Sequence, residues 1–138
     1  MKKILTILIL LVTISCSTTS TSEVEITPIV PKNVEIIITT DAPDFDEIIV
    51  SYHDFDTNED LYGPRQFTYD ANGNQEPITI SLPDYSYSEI VGNAYRNNGL
   101  PYSLKAQIYI NDELEFEVES IGSSEAYATI FFDYTIKN

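Results

Sequence analysis

Apolar and polar residues alternate with a period of two along much of the chain from Val34 to Ile136. Successive side chains of a β-strand point to opposite faces of the sheet, so this period predicts strands that each bury one face. No stretch follows the period of an amphipathic helix, and the nearest candidate, Tyr87 to Tyr95, is interrupted by Gly92. The predicted buried faces are Val34, Ile36 and Ile38; Ile48, Val50 and Tyr52; Leu104, Ala106, Ile108 and Ile110; Leu114, Phe116 and Val118; and Ala128, Ile130, Phe132, Tyr134 and Ile136.

One turn sequence predicts a hairpin together with its register. Asn72-Gly73 favours a type I′ turn, because both central residues of that turn have positive φ. Centring the turn there pairs Phe67 with Ile78, so that two apolar side chains share the face that one buried side requires.

A second hairpin surrounds Asn111-Asp112, and here two registers compete. A two-residue turn pairs Ile110 with Glu113 and places apolar residues opposite charged ones along the whole ladder. A three-residue loop over 111–113 instead pairs Ile110 with Leu114 and keeps apolar residues opposite apolar ones. We predict the three-residue loop, because one buried face fixes the register of a strand pair.

These elements predict an all-β fold. Seven or eight short strands joined by turns, with no helix between them, pack as two antiparallel sheets in an Ig-like β-sandwich. A closed barrel is the alternative that the same pattern allows. We place this domain at residues 33–138, since the chain before it differs in composition.

The first residues of the chain have the composition of an export signal. Met1-Lys2-Lys3 is a positive region, and Ile4 to Ile14 is almost continuously apolar. A membrane-spanning helix needs roughly 20 apolar residues, so this run is too short to be one. Its length and flanks fit the apolar region of a signal peptide, and it ends at Ser15-Cys16, which holds the single cysteine.

Ile14, Ser15 and Cys16 resemble the lipobox of bacterial lipoproteins, from which Thr13 departs because an aliphatic residue is usual there. The resemblance implies that residues 1–15 are a removed signal peptide and that Cys16 carries diacylglycerol and an amide-linked acyl chain such as palmitate. Those chains hold the protein on a membrane. The alternative is an ordinary secreted protein with a free thiol.

The residue after the cysteine and the segment that follows extend this interpretation. Ser17 stands where an Asp commonly retains such lipoproteins at the inner membrane, so the resemblance favours the outer membrane. Residues 16–32 then form the lipidated N-terminus and a tether, because the Ser/Thr-rich run from Ser17 to Ser22 has no apolar side chain.

Composition and charge exclude several classes of function. The chain of 138 residues has 22 acidic and 7 basic side chains and a formal net charge of -15, which argues against binding to nucleic acid. A single cysteine excludes an internal disulfide, and a single histidine excludes a His-based metal cluster. With 10 Tyr and 6 Phe, the chain has enough aromatic residues to fold.

Residues 47–136 resemble the periplasmic β-sandwich of MmpS-type transport accessory proteins. The resemblance rests on four segments: Phe67 to Gly73, Ile80-Ser81-Leu82-Pro83, Leu104-Lys105-Ala106-Gln107, and Ile108 to Asp112. It implies the same fold and a location outside the cytoplasm, and it carries over no ligand and no catalytic residue. The chain departs from the pattern at Asp84, which precedes the aromatic Tyr85, and in lacking the cysteine pair of some relatives.

Oxygen-bearing side chains alternate in one predicted loop, where they suit Ca²⁺. Glu59 and Arg65 stand where an EF-hand needs Gly and a bidentate Glu, so that motif is excluded. A looser surface site remains as a hypothesis, and a solvated polar loop is the alternative. The candidate ligands are Asp54, Asp56, Asn58 and Asp60, joined by Asp41, Asp44 or Asp46.

Tyrosines cluster in the sequence around an Asn/Gly-rich segment. Exposed tyrosines beside Asn and Arg would form a surface for a sugar or a protein, because their rings offer contact area at low entropic cost. The alternative is that they cover an edge of the sandwich. The candidate binding residues are Tyr85, Tyr87, Tyr95, Arg96 and Tyr102.

The pattern contains no convincing catalytic set. His53 and Asp54 are consecutive strand residues that point to opposite faces, so they do not form a triad with Ser51. Four glutamates of one strand face, Glu113, Glu115, Glu117 and Glu119, are interpreted as a solvent-facing row that deters pairing between chains.

The sequence therefore predicts a non-enzymatic lipoprotein of the cell envelope that binds a protein or glycan partner. An accessory subunit of an envelope or transport assembly is the form we expect, with no cofactor. The alternative is a Ca²⁺-dependent adhesion or carbohydrate-binding module.

Overall fold

A computed structural model describes residues 30–42 and 47–137. The predictions about the signal peptide, Cys16 and the tether up to residue 29 lie outside the described residues, as do Asp44 and Asp46. Among the described residues, no helix is long and apolar enough to cross a membrane.

The described residues form strands and turns only, which the alternating pattern predicts. The strands are β1 (Lys32–Thr40), β2 (Glu47–Asp54), β3 (Glu59–Gln66), β4 (Thr68–Tyr69), β5 (Gln75–Glu76), β6 (Ile78–Tyr85), β7 (Glu89–Arg96), β8 (Ser103–Ile110), β9 (Glu113–Ile121) and β10 (Thr129–Thr135).

Two four-stranded antiparallel sheets pack face to face, which confirms the predicted β-sandwich. The first sheet has the order β6-β1-β8-β9, and the second has the order β10-β7-β2-β3. Strands β4 and β5 form a separate two-stranded ribbon. That ribbon accounts for the difference between the ten strands described and the seven or eight predicted. The one candidate for a helical turn, Tyr87 to Tyr95, is occupied mainly by β7.

The core lies between the sheets and is built from the predicted apolar faces. Four of the five faces are buried as expected, and burial of their side chains is the main term that stabilises the fold. The most completely buried of the predicted residues, with relative exposures of 0% or 1%, are Val34, Ile36, Ile38, Ile48, Leu104, Ala106, Ile108, Ala128, Ile130 and Phe132.

The β8–β9 hairpin follows the predicted register in its middle and departs from it at the turn. Ile108 lies opposite Phe116, so apolar side chains face each other there as expected. Next to the turn the prediction is wrong, because Ile110 pairs with Glu113 and not with Leu114. The loop therefore has two residues rather than three.

A β-bulge in β9 makes the two competing registers compatible. Asn111 and Asp112 adopt φ values of 50° and 68°, as a two-residue type I′ turn requires. The register then shifts beyond Tyr109, which leaves Glu115 as the extra residue of β9. The shift turns Leu114 to the outer face, where it is 49% exposed, so its predicted burial is wrong.

The hairpin at Asn72-Gly73 is present, but its register differs by one residue from the prediction. Thr68 pairs with Glu76, and the Asp70 N–H donates to the Asn74 carbonyl at 2.9 Å, so three residues and not two form the loop. The predicted pairing of Phe67 with Ile78 is therefore wrong. Phe67 enters the core, and Ile78 pairs with a residue of β1 instead.

The Asp70 carboxylate explains this register. It accepts hydrogen bonds from the backbone N–H groups of Asn72 and Asn74, both at 2.8 Å. These bonds stabilise a three-residue loop in which Gly73 alone has positive φ, at 82°. A further bond from the Asn74 side chain at 2.8 Å and then these backbone bonds lower the pKa of the Asp70 carboxyl below its usual value.

The two edges of the sandwich differ. At one edge, β9 of the first sheet approaches β10 of the second. There the Tyr134 hydroxyl donates to Glu115 at 2.8 Å, and the Thr129 N–H donates to the Ser120 hydroxyl at 3.3 Å. At the other edge, a cleft lies between β2 of the second sheet and β6 of the first.

The cleft occupies the end of the sandwich at which the described chain begins and ends. Lys32 in β1 pairs with Tyr85 in β6, and Tyr85 lines the cleft. The Lys32 side chain donates a hydrogen bond to the Lys137 carbonyl at 2.6 Å. Both ends of the described domain therefore lie beside the cleft.

Candidate functional site: an aromatic and acidic cleft

The cleft has a volume of about 280 Å³, near the lower limit for pockets that hold small ligands. It has room for one small functional group rather than for a large molecule. Its charged and aromatic lining residues are Tyr52, His53, Asp54, Asp56, Asp84, Tyr85 and Tyr87, and none of the described lining residues is Lys or Arg.

One wall of the cleft is the turn between β2 and β3. Asp54 pairs with Glu59 across the hairpin, and Asn58 completes the turn with a φ of 55°. The Asp54 carboxylate accepts a hydrogen bond from the Asp56 N–H at 2.9 Å. This Asx-type bond holds the turn in one shape and orients Asp56 toward the cleft.

Four aromatic rings form a continuous row along this end of the sandwich. His53 meets Phe55 edge-on at 4.6 Å between centroids, and Phe55 stacks on Tyr87 at 5.2 Å. Tyr87 in turn meets the edge of Tyr85 at 5.4 Å. Aromatic pairs at these distances stabilise one another by about 0.5–1.5 kcal/mol each, so the row joins β2, its turn and β6.

Polar contacts hold three of the four rings. The Tyr87 hydroxyl donates to the Asp56 carboxylate at 2.6 Å, and the Tyr85 hydroxyl donates to the Glu89 carbonyl. The His53 Nδ1 atom lies 2.9 Å from the Asp60 carboxylate. The rings are therefore held in place before any ligand arrives.

The cleft is a region of negative potential. Burial, followed by the negative charges around it, raises the pKa of Tyr85 to about 12. The pKa of Tyr87 is raised too, first by its hydrogen bond to Asp56 and then by burial. Both shifts follow from surroundings that disfavour an additional negative charge.

Alkaline pH is expected to weaken the fold through Tyr85. Its pKa is raised from 10.0 to about 12 in the folded state, so its contribution to stability is complete below pH 10 and is lost as the pH rises to 12. Chemical denaturation between pH 9 and pH 12 measures this loss. The Tyr85→Phe variant should lose less stability over that interval, and an equal loss would contradict the assignment.

The residues of the predicted calcium site have separate partners. Asp54 supports the turn, Asp56 accepts from Tyr87, and Asp60 lies against His53. Asp41 lies at the other end of the sandwich, where it accepts from the Ser103 N–H. Within residues 30–42 and 47–137, no group of three His, Cys, Asp or Glu residues could hold a metal ion. Calcium binding stays a prediction without support from this arrangement.

The structure divides the predicted tyrosine surface into parts. Tyr85 and Tyr87 line the cleft, whereas Tyr95 lies on the outer face of the second sheet. Arg96 is only 1% exposed, so its prediction as a surface residue is wrong. Its side chain donates to the carbonyls of Leu100 and Tyr102 at 3.3 Å and 3.2 Å, and its guanidinium lies 5.1 Å from the Tyr102 ring centroid.

Alternation along β7 is the physical reason for this division. Consecutive residues of a strand point to opposite faces, so Tyr95 faces outward when Arg96 faces the core. Arg96 then satisfies the carbonyls of the loop between β7 and β8, and it stabilises that loop from inside.

The aromatic row contains two residues that the sequence pattern does not predict as binding residues. Phe55 was not predicted, and His53 was considered only for catalysis, yet both belong to the aromatic row. The sequence does contain a signal for them, because an aromatic residue stands on each side of Asp54 at a predicted turn. Such a turn places rings and carboxylates together at one end of the sheet.

The glutamates of β9 do not form one row. Glu117 accepts from the Gln107 side chain at 2.6 Å, and the Lys105 ammonium lies 3.7 Å from it and 3.9 Å from Glu119. Glu115 contacts Tyr134 instead, because the bulge redirects it. These contacts give Glu115, Glu117 and Glu119 structural partners.

Comparison with protein-family models, with curated proteins and with solved structures finds no match for this chain.

Proposed function

We propose that this chain is a non-enzymatic, lipid-anchored binding protein of the bacterial cell envelope, whose β-sandwich holds a cationic group of its ligand in the cleft between β2 and β6. The outer membrane is the location that the sequence around Cys16 favours. An accessory subunit of an envelope assembly is the form of function that this arrangement fits.

One observation supports the ligand class: the cleft combines aromatic rings with carboxylates, and its described lining offers no Lys or Arg. Aromatic faces attract cations by about 0.5–2 kcal/mol, and most strongly where water is partly excluded. The carboxylates of Asp54, Asp56 and Asp84 add charge of the required sign. An ammonium or guanidinium group satisfies both features, whereas an anion satisfies neither.

The rigidity of the lining supports binding rather than mere solvation. Tyr87 is held by Phe55 on one side and by the Asp56 carboxylate at its hydroxyl. A preorganised site loses little side-chain entropy when it binds, so more of the contact energy appears as affinity. A loop that only contacts solvent would not require these contacts to Tyr87.

The proposed lipid anchor at Cys16 limits the distance between the cleft and the membrane. The lipobox-like sequence ends at Cys16, and the described domain starts with β1 at Lys32. Fully extended, the chain between them reaches at most about 58 Å. Because the cleft lies at the end where the domain begins, the proposed ligand is held within that distance of the membrane.

Choline is the probe for the cleft, because it presents a compact quaternary ammonium group. Titration of the mature chain with choline chloride, followed by NMR, is expected to shift the resonances of Tyr85 and Tyr87. Asp56→Asn keeps the size of the side chain but removes a charge and weakens the acceptor for Tyr87. We expect it to reduce choline affinity by about tenfold.

Asp133→Asn is the matched control. It removes the same charge from an exposed residue of β10, on the outer face of the second sheet. We expect it to retain choline affinity within about twofold, because exposed charges away from a site are screened by salt. Equal losses in the two variants, or no shift at Tyr87 in the unsubstituted protein, would contradict the proposed ligand class.

A further inference from the structure

The outer face of the second sheet has an aromatic and uncharged centre. Tyr62, Tyr127 and Phe131 are 67%, 52% and 69% exposed. Together with Tyr95 they form the surface that we call the aromatic face. On a folded domain, a contiguous exposed apolar patch is more often an interaction site than an ordinary solvent-facing surface.

Strand register brings these rings together. Tyr62 of β3 and Phe131 of β10 lie in one row across the sheet, because Ser51 pairs with Tyr62 and with Asn93, and Asn93 pairs with Phe131. Strands lie about 4.8 Å apart, so this row spans roughly 14 Å. That width matches the apolar centre of a protein contact rather than a pocket for one small group.

The rings of the aromatic face are held in fixed positions. The hydroxyls of Tyr62 and Tyr95 share a hydrogen bond at 3.3 Å. The rings of Tyr95 and Tyr127 are nearly parallel, at 6° and 6.5 Å between centroids. Ile49 points outward from β2, yet it is only 8% exposed. The tyrosines therefore form an ordered layer over the sheet.

The outer face of the first sheet mixes exposed apolar side chains, such as Leu114 and Ile121, with charged ones. There Lys105 lies beside Glu117 and Glu119, and Gln107 donates to Glu117. On the outer side of the second sheet, the contact between His53 and Asp60 lies toward the ends of the strands, and the exposed tyrosine rings contact one another instead. The exposed rings of the second sheet thus lie together, whereas charged side chains lie between the exposed apolar residues of the first.

Carboxylates surround the aromatic face. Alternation along the four strands places Glu47, Asp60, Glu89 and Asp133 on the same outer side as Tyr95, toward the ends of the strands. No Lys or Arg of the described strands of this sheet shares that side. An aromatic centre with a charged rim is the usual composition of a protein interface.

We propose that the aromatic face docks a second envelope protein, one whose contact surface has an apolar centre and a rim of Lys or Arg. Charge complementarity with the carboxylate rim selects this partner. A second copy of the chain is disfavoured, because a twofold contact would bring two acidic rims together in a protein of net charge -15. The rings of the aromatic face are not among the residues that line the cleft, and the proposal does not depend on the cleft's ligand.

Photo-crosslinking in the native cell tests this proposal. The photoreactive residue p-benzoylphenylalanine replaces Tyr62 in one full-length variant and Phe131 in another, both exposed positions. The control variant carries it at Tyr109, which pairs with Glu35 and faces outward from the first sheet. We expect one and the same protein to crosslink at the two test positions and not at the control, through a peptide that contains Lys or Arg beside apolar residues.

Charge reversal provides the second readout. Glu89→Lys with Asp133→Lys should reduce the crosslink at Tyr62 at least fivefold, whereas Glu117→Lys on the first sheet should leave it within twofold. Thermal melting confirms that each variant is folded, and Phe131 offers a second reporter if the Tyr62 variant is not. A crosslink to a second copy, to residues 17–29 of the same chain, to a glycan or to lipid would overturn the proposal. So would the absence of any crosslink, or one insensitive to charge reversal.

Discussion

Replacing Cys16 by Ser is expected to abolish attachment of palmitate and to release the protein from the membrane. Each buried CH₂ group contributes about 0.8 kcal/mol, so one long acyl chain contributes about 10 kcal/mol to membrane binding. Metabolic labelling with palmitate and mass spectrometry of the N-terminal peptide measure the change.

The neighbouring substitution Ser17→Ala is the matched control, since it leaves the thiol and the apolar run intact. It should retain the full palmitate label. A native protein whose Cys16 is an unmodified thiol would contradict the lipid anchor. Equal labelling of the Cys16→Ser variant would place the lipid elsewhere.

Replacing Gly92 by Ala is expected to lower the free energy of unfolding by about 3 kcal/mol or more. A Cβ at this position would lie 2.4 Å from the Phe132 ring and 2.5 Å from the backbone oxygen of Ser51. The ring is enclosed in the core and the oxygen belongs to the neighbouring strand β2, so neither has room to move. Urea denaturation of the purified domain measures the change.

Gly63 offers a control in the same sheet. It lies in the edge strand β3, and a Cβ there meets nothing within 4 Å. Gly63→Ala should change the free energy of unfolding by no more than about 0.5 kcal/mol. Comparable losses at the two glycines would show that the close approach of β7 to Phe132 is not what constrains Gly92.

The sequence pattern was sufficient to predict the β-sandwich, because every strand has to bury one apolar face. Ile36 and Ile38 are fully buried where the alternation predicts it. The turn of β8–β9 was predicted wrongly because two local rules conflict there. Asn111 and Asp112 favour a two-residue turn, while the apolar pairs favour a longer loop. The bulge at Glu115 satisfies both, and a bulge leaves no clear signal in the pattern.

The candidate site was predicted only in fragments, for reasons that differ from residue to residue. The opposite orientations of Tyr95 and Arg96 follow from strand alternation, so their separation could have been predicted. The meeting of Tyr87 with Asp56 could not, because it depends on how the two sheets pack. The acidic loop and the tyrosines were recognised separately, and only the packing of β6 against β2 joins them in one cleft.

The aromatic face shows a similar limit. Tyr62 and Phe131 stand far apart in the chain and belong to strands at opposite edges of the second sheet. Alternation predicts that each faces outward, but the order of the strands decides that they share a row. Strand order is set by the packing of the whole sandwich.

A comparison of choline with 3,3-dimethylbutan-1-ol tests the proposed binding of cations most directly. The two molecules have nearly the same shape, and only choline carries a charge. With the unsubstituted protein, we expect choline to shift the resonances of Tyr85 and Tyr87 and to bind at least about tenfold more tightly than the neutral alcohol. Equal affinity for the two molecules would show that the cleft recognises shape rather than charge, and would contradict its assignment as a site for cationic groups.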